Sequence, residues 1–238
     1  MSDFPWFKSY PSEVPQTIEL NRYNNLVEIF DQSVKKFGDK TAYKNMDVEI
    51  SFNDVSAHVD ALVWHLQNKT KLKKGDRIAL QMPNLLQFPI TIFACLKAGL
   101  VIVNTNPLYT AEEMRHQYKD SGAKAIIILE NFAFNLQEIL ADTEIETVIT
   151  TTIGDMLGGL KGAITNFVVR KVKKMVPPFT LHDTTPLKQI FKDVENKNES
   201  LKYTFVYVPE GYEPVNQNDS WVIEEEDVRI INEYSKII

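Results

Sequence analysis

The segment RIALQMPNLLQFPITIFACLKAGLVIVN (residues 77–104) decides the fold. It contains two short apolar runs, Arg77–Met82 and Leu100–Asn104, on either side of a stretch with helical apolar spacing, Leu86–Lys97. Short continuous apolar runs are typical of strands buried on both faces of a sheet. Gly99 ends the helix where a left-handed backbone costs glycine little. The segment therefore predicts a strand–helix–strand unit.

The same alternation continues down the chain. It predicts a helix, a strand, a helix and a strand, at Thr110–Ser121, Ala123–Leu129, Asn131–Ala141 and Thr147–Thr151. Thr110 and Glu113 have the spacing of a capping box, which satisfies two free backbone donors at a helix start. Together these elements predict an α/β fold: a mostly parallel sheet with helices on both faces, joined by right-handed crossovers.

Upstream of this region the sequence predicts two helices and a hairpin. Asn21 is the predicted cap of a helix over Tyr23–Phe37, whose apolar residues recur at helical spacing. KTAYKNMDVEISF predicts a hairpin with Asp47 near its turn. Ser51 or Asn53 then begins the next helix. Downstream, TPLKQIFKD predicts a short helix, YTFVYV a strand, and Glu224–Tyr234 an acidic helix.

Composition limits the classes of function. The 238 residues carry a formal net charge of -6, which argues against a general nucleic-acid partner. Cys95 is the only cysteine, so an internal disulfide is excluded and a reducing cytoplasm is expected. We interpret Cys95 as core packing. The start of the sequence has no secretory pattern, and Leu85–Val103 is too interrupted to span a membrane.

The stretch Lys161–Phe179 combines apolar and basic residues at helical spacing. It predicts an amphipathic helix ended by Pro177 and Pro178. One interpretation is contact with a membrane surface; the residues predicted to make it are Lys161, Arg170, Lys171, Lys173 and Lys174. The other interpretation is an ordinary surface helix packed on the sheet.

Five sequence motifs carry a family resemblance, and their order and spacing together are more specific than any single motif. They are WFKSYPSEVP, LKKGDRIALQMPNLLQFP, NTNPLYT, DSGAKAI and GAITNFVVRKVKKMVP. Over residues 4–193 the chain resembles the N-terminal part of the AMP-forming acyl-CoA synthetases, and among them the bacterial long-chain fatty-acid ligases. The resemblance implies an adenylate-forming fold and a parent reaction that uses ATP, Mg and CoA to turn a fatty acid into acyl-CoA, AMP and pyrophosphate.

The chemical motifs of that family are not found in this sequence. The family's Gly/Ser/Thr-rich phosphate loop, its Tyr-Gly-x-Thr-Glu segment and its C-terminal lysine have no counterpart. TTTIGDMLGGLKG (residues 150–162) imitates the loop's composition, with Lys161 as a conceivable phosphate ligand, but in the family it corresponds to a separate surface segment. We therefore assign no catalytic, cofactor-binding or metal-binding residue and expect this chain alone to be inactive.

The resemblance divides the chain into a synthetase N-terminal subdomain (1–193) and a linker with an unmatched tail (194–238). This pattern favours a truncated ligase with a divergent end. The alternative function is a non-catalytic acyl-binding or ligase-interacting module.

Expected partners are a membrane surface, an intact ligase or a second copy of the chain, with no nucleic acid. The expected location is the cytoplasm, peripheral to the inner face of the membrane. His58 and His65 are interpreted as helix-surface residues, and Glu224–Asp227 as a solvated helix start.

Overall fold

The computed structural model describes residues 4–18 and 22–195, without the side chains of the last two. The helices and strands are α1 (Leu26–Phe37), β1 (Thr41–Asn45), β2 (Val48–Ser51), α2 (Phe52–Lys69), β3 (Arg77–Gln81), α3 (Gln87–Lys97), β4 (Val101–Asn104), α4 (Ala111–Ser121), β5 (Ala125–Leu129), α5 (Ala133–Ile139), β6 (Thr147–Thr151), α6 (Gly159–Phe167), β7 (Thr184–Pro186) and α7 (Leu187–Glu195). A π-helical turn, Val168–Val172, continues α6, and short 3-10 turns lie at Pro5–Ser9, Glu130–Phe132 and Leu140–Asp142.

Five strands form one parallel sheet in the order β4-β3-β5-β6-β7. The register places Ile78 beside Ile102, and Ile127 between Leu80 and Ile149. The predicted parallel α/β fold is confirmed. The sequence did not predict β7, a three-residue edge strand that ends in a proline, which lacks the N–H needed inside a sheet.

Helices cover both faces of the sheet, as predicted. Alternate residues of β3 and β5 point to opposite sides, so Leu80 and Ile127 enter one core while Ala79 and Ile126 enter the other. The first core contains residues of α1, α2, α3 and α7, and the second contains residues of α4 and α5. Cys95 is fully buried in the first core, as interpreted from the sequence.

Side-chain caps set the starts of three helices, α1, α2 and α4. Ser51 and Asp54 form a reciprocal capping box at α2, and Thr110 and Glu113 form another at α4. The prediction for α1 was wrong in detail. That helix begins at Leu26, after Asn25, whose side chain accepts a hydrogen bond from the backbone N–H of Glu28. Asn25 caps the helix because its side-chain oxygen lies within reach of that free donor, and the predicted cap, Asn21, lies outside the described residues.

The hairpin β1–β2 confirms its prediction. Met46 and Asp47 form the two-residue turn with φ values of 48° and 58°. This conformation matches the right-handed twist of paired strands and is tolerated by aspartate.

The prediction of one helix over Lys161–Phe179 was also wrong in detail. α6 ends at Phe167, the π-helical turn follows, and Lys174 adopts a positive φ of 51° before Pro177 is reached. A left-handed residue cannot continue a right-handed helix, so the chain turns there. The predicted strand at YTFVYV, the helix near Glu224–Tyr234 and all but the start of the predicted linker lie outside the described residues. Among the described helices, none is both long and apolar enough to cross a membrane.

Candidate functional site at the carboxyl edge of the sheet

The sheet changes its direction of growth between β3 and β5. From β3 the chain crosses to β4 on one side, then returns past β3 to form β5 on the other. In open parallel sheets, ligands bind outside the carboxyl ends of the strands at such a switch point. Gln81 ends β3 and Glu130 follows β5, so these two side chains mark the candidate site.

Gln81 is buried and its amide is engaged inside the protein. Its Oε1 accepts a 2.9 Å hydrogen bond from the Tyr118 hydroxyl, and its Nε2 donates to the Asn106 carbonyl oxygen at 3.4 Å. Burial raises the pKa of Tyr118, so the phenol stays protonated and donates. This end of β3 is therefore a closed structural network.

Glu130 is a buried carboxylate that binds a guanidinium from the π-helical turn. Arg170 Nε lies 2.9 and 3.0 Å from the two carboxylate oxygens, and its Nη2 lies 2.6 Å from Oε2. These hydrogen bonds raise the pKa of Arg170. Next to this pair, Asn131 Nδ2 donates to the Met175 carbonyl oxygen at 3.1 Å. Two side chains at the end of β5 thus fix the π-helical turn against the sheet edge.

The phosphate-loop imitation, residues 150–162, begins in the last residues of β6, and side chains of the loop, of α3 and of α6 hold it in place. The Thr152 N–H donates to Asp155 Oδ2 at 2.8 Å, and the Gly154 N–H donates to Asn166 Oδ1 at 2.8 Å. Gln87 of α3 donates to Thr151 Oγ1 at 3.0 Å. A phosphate cradle needs free backbone N–H groups, whereas two N–H groups of this loop already have acceptors, one of them a carboxylate.

The glycines of this loop have a packing explanation. A Cβ atom built on Gly162 would lie under 3.0 Å from the Gly154 carbonyl oxygen, and one built on Gly154 would crowd the Gly162 carbonyl oxygen equally. Only glycine lets the loop and α6 approach this closely. Lys161, the conceivable phosphate ligand, donates to the Met46 carbonyl oxygen of the hairpin. The structure therefore accounts for this composition without a bound anion.

The structure separates the five basic residues predicted to contact a membrane into two groups. Lys161 and Arg170 are held by the Met46 carbonyl and by Glu130. Lys171, Lys173 and Lys174 follow Arg170 in the chain, and their side chains are exposed. Whether any of the five contacts a membrane stays a prediction.

The apolar side chains of the same segment do not pack on the sheet. In α6 and the π-helical turn only Gly162 and Val169 are buried. The side chains that stay between 51% and 77% exposed form what we call the apolar ridge: Leu160, Ile164, Phe167, Val172 and Met175. The segment thus packs through Gly162, Val169 and Asn166, and it leaves the apolar ridge exposed to solvent beside three lysines.

The histidines and the cysteine form no metal centre. No group of three or more His, Cys, Asp or Glu side chains suited to a metal ion occurs within residues 4–18 and 22–193. His58 contacts the edge of the Phe191 ring, with the ring centroids 4.5 Å apart. Burial lowers the pKa of His65 and raises that of the Cys95 thiol.

A buried lysine is the main feature that sequence reasoning missed. Lys97, at the end of α3, is almost fully buried, and its ammonium lies 3.0 Å from Asp60 of α2 and 3.5 Å from Asp31 of α1. Burial raises the pKa of Asp31. The only sequence signal was a lysine inside an otherwise apolar helix, and its acidic partners come from helices 37 and 66 residues away.

Comparison with known proteins identifies the family. The AMP-binding enzyme family matches residues 30–203. The chain belongs to the AMP-binding enzyme family.

Three relatives of the chain are long-chain-fatty-acid–CoA ligases. The one from Escherichia coli O6:H1 is 45% identical over 178 residues, which cover 75% of this chain and 32% of the relative. The Yersinia pestis protein is 41% identical over 198 residues, 83% of this chain and 34% of the relative. The Haemophilus influenzae protein is 40% identical over 185 residues, 78% and 33% respectively. The chain thus spans about a third of the length of these relatives.

Solved structures agree on the fold. The anthranilate CoA ligase AuaEII, in complex with anthranoyl-AMP, has a TM-score of 0.57 at 16% identity, over 72% of this chain and 28% of its own. The coronafacic acid ligase of Pectobacterium brasiliense has a TM-score of 0.56 at 22% identity, over 75% and 30%. At these identities the likeness concerns the fold alone.

Proposed function

We propose that this chain supplies the N-terminal scaffold of a long-chain fatty-acid–CoA ligase. The complete reaction would join a fatty acid to CoA with ATP and Mg and release AMP and pyrophosphate. The observation that carries the proposal is the 45% identity to such a ligase over 178 residues. The two cores on opposite faces of the sheet and the closed Gln81–Tyr118 network suit a rigid support.

The proposed role is support rather than nucleotide chemistry. The two polar side chains at the switch point are engaged internally, Gln81 by Tyr118 and Glu130 by Arg170. In the segment with a phosphate-loop composition, two backbone N–H groups already donate to side chains, those of Asp155 and Asn166. We therefore propose that the chain is inactive alone and that ATP, Mg and CoA are bound by parts of a ligase that have no counterpart in this sequence.

A chimera tests the scaffold role. Residues 4–193 replace the matching N-terminal segment of the Escherichia coli relative, and long-chain acyl-CoA formation is measured against that intact ligase. We expect the chimera to retain activity, because the replaced segment provides packing and not reacting groups. A chimera that folds, as judged by cooperative unfolding, yet forms no acyl-adenylate would contradict the scaffold role.

A second candidate function is contact with an anionic membrane. The exposed apolar ridge beside Lys171, Lys173 and Lys174 supports it, since interfacial helices insert apolar side chains and place cations at lipid headgroups. Each basic residue near such a surface contributes about 1 kcal/mol. Replacing these three lysines by glutamine should therefore weaken binding to phosphatidylserine vesicles strongly. Replacing Lys161, held by the Met46 carbonyl, should change it less. Equal losses in the two variants would argue against this assignment.

The alternative of a non-catalytic acyl-binding or ligase-interacting module rests on the same exposed ridge. Exposed apolar patches commonly mark protein contacts, including contacts between copies. Co-purification with an intact ligase that is lost in a Phe167→Asp variant would support it. A monomer that binds neither ligase nor acyl chains would count against it.

A further inference from the structure

We propose that the segment Trp221–Asp227 of this chain docks on the apolar ridge and its lysines, and so covers the surface that the second candidate function would present to a membrane. The cover is intramolecular and held by charge as well as apolar contact. It would make membrane contact conditional, because segment and lipid would compete for the same side chains.

The receiving surface is defined by the described residues. Phe167 and Val172 stay 60% and 64% exposed, although Arg170 between them is fixed to Glu130. That ion pair holds the π-helical turn in place, and the contact of Gly162 with Gly154 holds α6, which carries Leu160, Ile164 and Phe167. Lys171, Lys173 and Lys174 lie exposed in the same stretch and give it positive charge.

The charge of the chain is distributed unevenly. Residues 1–195 carry 22 Lys and Arg against 23 Asp and Glu, whereas residues 196–238 carry four against nine. Nearly all of the net charge of -6 therefore belongs to the last 43 residues. Opposite charge concentrated on two parts of one chain favours their association.

Trp221–Asp227 matches the ridge in chemistry as well as charge. Its sequence, WVIEEED, places three large apolar residues directly before four consecutive carboxylates. Trp221, Val222 and Ile223 suit the apolar side chains of the ridge, and the carboxylates suit its lysines. Aromatic anchors beside complementary charges are typical of docking segments.

The connection is long enough. The 25 residues between Glu195 and Trp221 would span roughly 80 Å when extended. A domain of 195 residues has a radius of gyration of about 16 Å. The segment can therefore reach the ridge from the end of α7, and tethering raises its local concentration to the millimolar range.

Zero-length carbodiimide cross-linking of the full chain, followed by peptide mass spectrometry, tests the proposal. The ion pair Lys124–Asp76, at 2.7 Å, is the internal reference. We expect cross-links from Lys171, Lys173 or Lys174 to Glu224–Asp227 within single chains, at higher yield than from Lys35 and Lys36 of α1. Raising the salt to about 0.5 M should reduce them several-fold, because it screens exposed charges.

Matched variants separate docking from chance encounters. Phe167→Asp should abolish most of these cross-links, whereas Leu26→Asp, at an equally exposed helix position (60% for both), should leave them unchanged. The proposal is overturned if the reference cross-link forms while the segment reacts no more with the ridge lysines than with Lys35 and Lys36. Cross-links that form only between isotope-labelled and unlabelled chains would also overturn it, in favour of a second copy. No vesicles are present, so this outcome is independent of membrane binding.

Discussion

Arg170 and Glu130 join the π-helical turn to the carboxyl end of β5 through three hydrogen bonds, of 2.9, 3.0 and 2.6 Å. The carboxylate is buried, and the guanidinium is about half exposed, at 46%. The pair fixes the π-helical turn relative to the sheet, so Arg170, which is also one of the residues predicted to contact a membrane, supports the surface beside it.

Glu130→Gln is expected to lower the free energy of unfolding by about 2 kcal/mol, because it removes the charge from hydrogen bonds made in a poorly hydrated site. Arg170→Lys keeps the charge but loses the planar fork, so it should lose about half as much. Lys173→Gln, an exposed neighbour, should stay within about 0.5 kcal/mol of the wild type. Urea unfolding followed by circular dichroism measures all three. Equal stability of Glu130→Gln and Lys173→Gln would show that the pair contributes nothing.

Gly162→Ala is expected to cost about 2–3 kcal/mol, because its new methyl group would meet the Gly154 carbonyl oxygen and force α6 away from the loop. Gly159→Ala is the matched control in the same helix. Nothing lies within 4 Å of a Cβ atom there, so alanine should be neutral or stabilise by about 0.5–1 kcal/mol. Thermal unfolding of the two variants compares them. A stable Gly162→Ala protein would remove the packing explanation for this glycine.

The elements that were predictable from sequence are those specified locally. The strands at Arg77–Gln81 and Ala125–Leu129 follow from short apolar runs, and the starts of α2 and α4 follow from a side chain and its partner three residues later. The error at α1 is also local, since asparagine is a favourable cap at either position and the capping role of Asn25 follows from the structure alone.

The features that sequence reasoning missed depend on contacts between distant residues. Arg170 meets a carboxylate 40 residues away, and Lys161 meets a carbonyl 115 residues away. Amphipathic spacing placed both residues on the basic face of one helix, but it could not indicate these distant partners. The exposure of Phe167 could not be decided from the sequence for the same reason. Helical spacing shows which side chains share a face, but it does not show whether that face meets the sheet.

Asp60→Asn is expected to destabilise the protein by about 3 kcal/mol, because it weakens the charge compensation of the buried Lys97 ammonium. Asp31→Asn should cost less, about 1 kcal/mol, since Asp31 is farther from Lys97, more exposed, and has a pKa raised by burial. Denaturant midpoints measured near neutral pH test the order. A larger loss for Asp31→Asn than for Asp60→Asn would reverse the assigned importance of the two contacts.

Stability is expected to fall with pH below the ordinary histidine pKa of 6.5, partly through His65. Burial lowers the pKa of His65, Lys69 lowers it further, and Asp193 opposes both. The unfolded chain therefore binds a proton before the folded chain does. The penalty is absent above pH 6.5 and grows as the pH falls through 6.5 towards the lowered pKa of the folded state. His65→Gln should flatten the measured free energy of unfolding across this window. An unchanged slope would show that His65 does not contribute to it.

ATP–pyrophosphate exchange in the presence of a long-chain fatty acid tests most directly the claim that this chain supplies a scaffold without nucleotide chemistry. The measurement uses the full chain, shown by circular dichroism to be folded, with an intact ligase as the positive control. The account predicts exchange at background level. Exchange above background, lost on Lys161→Gln or on disruption of residues 150–162, would contradict it and assign a nucleotide site to the loop after β6.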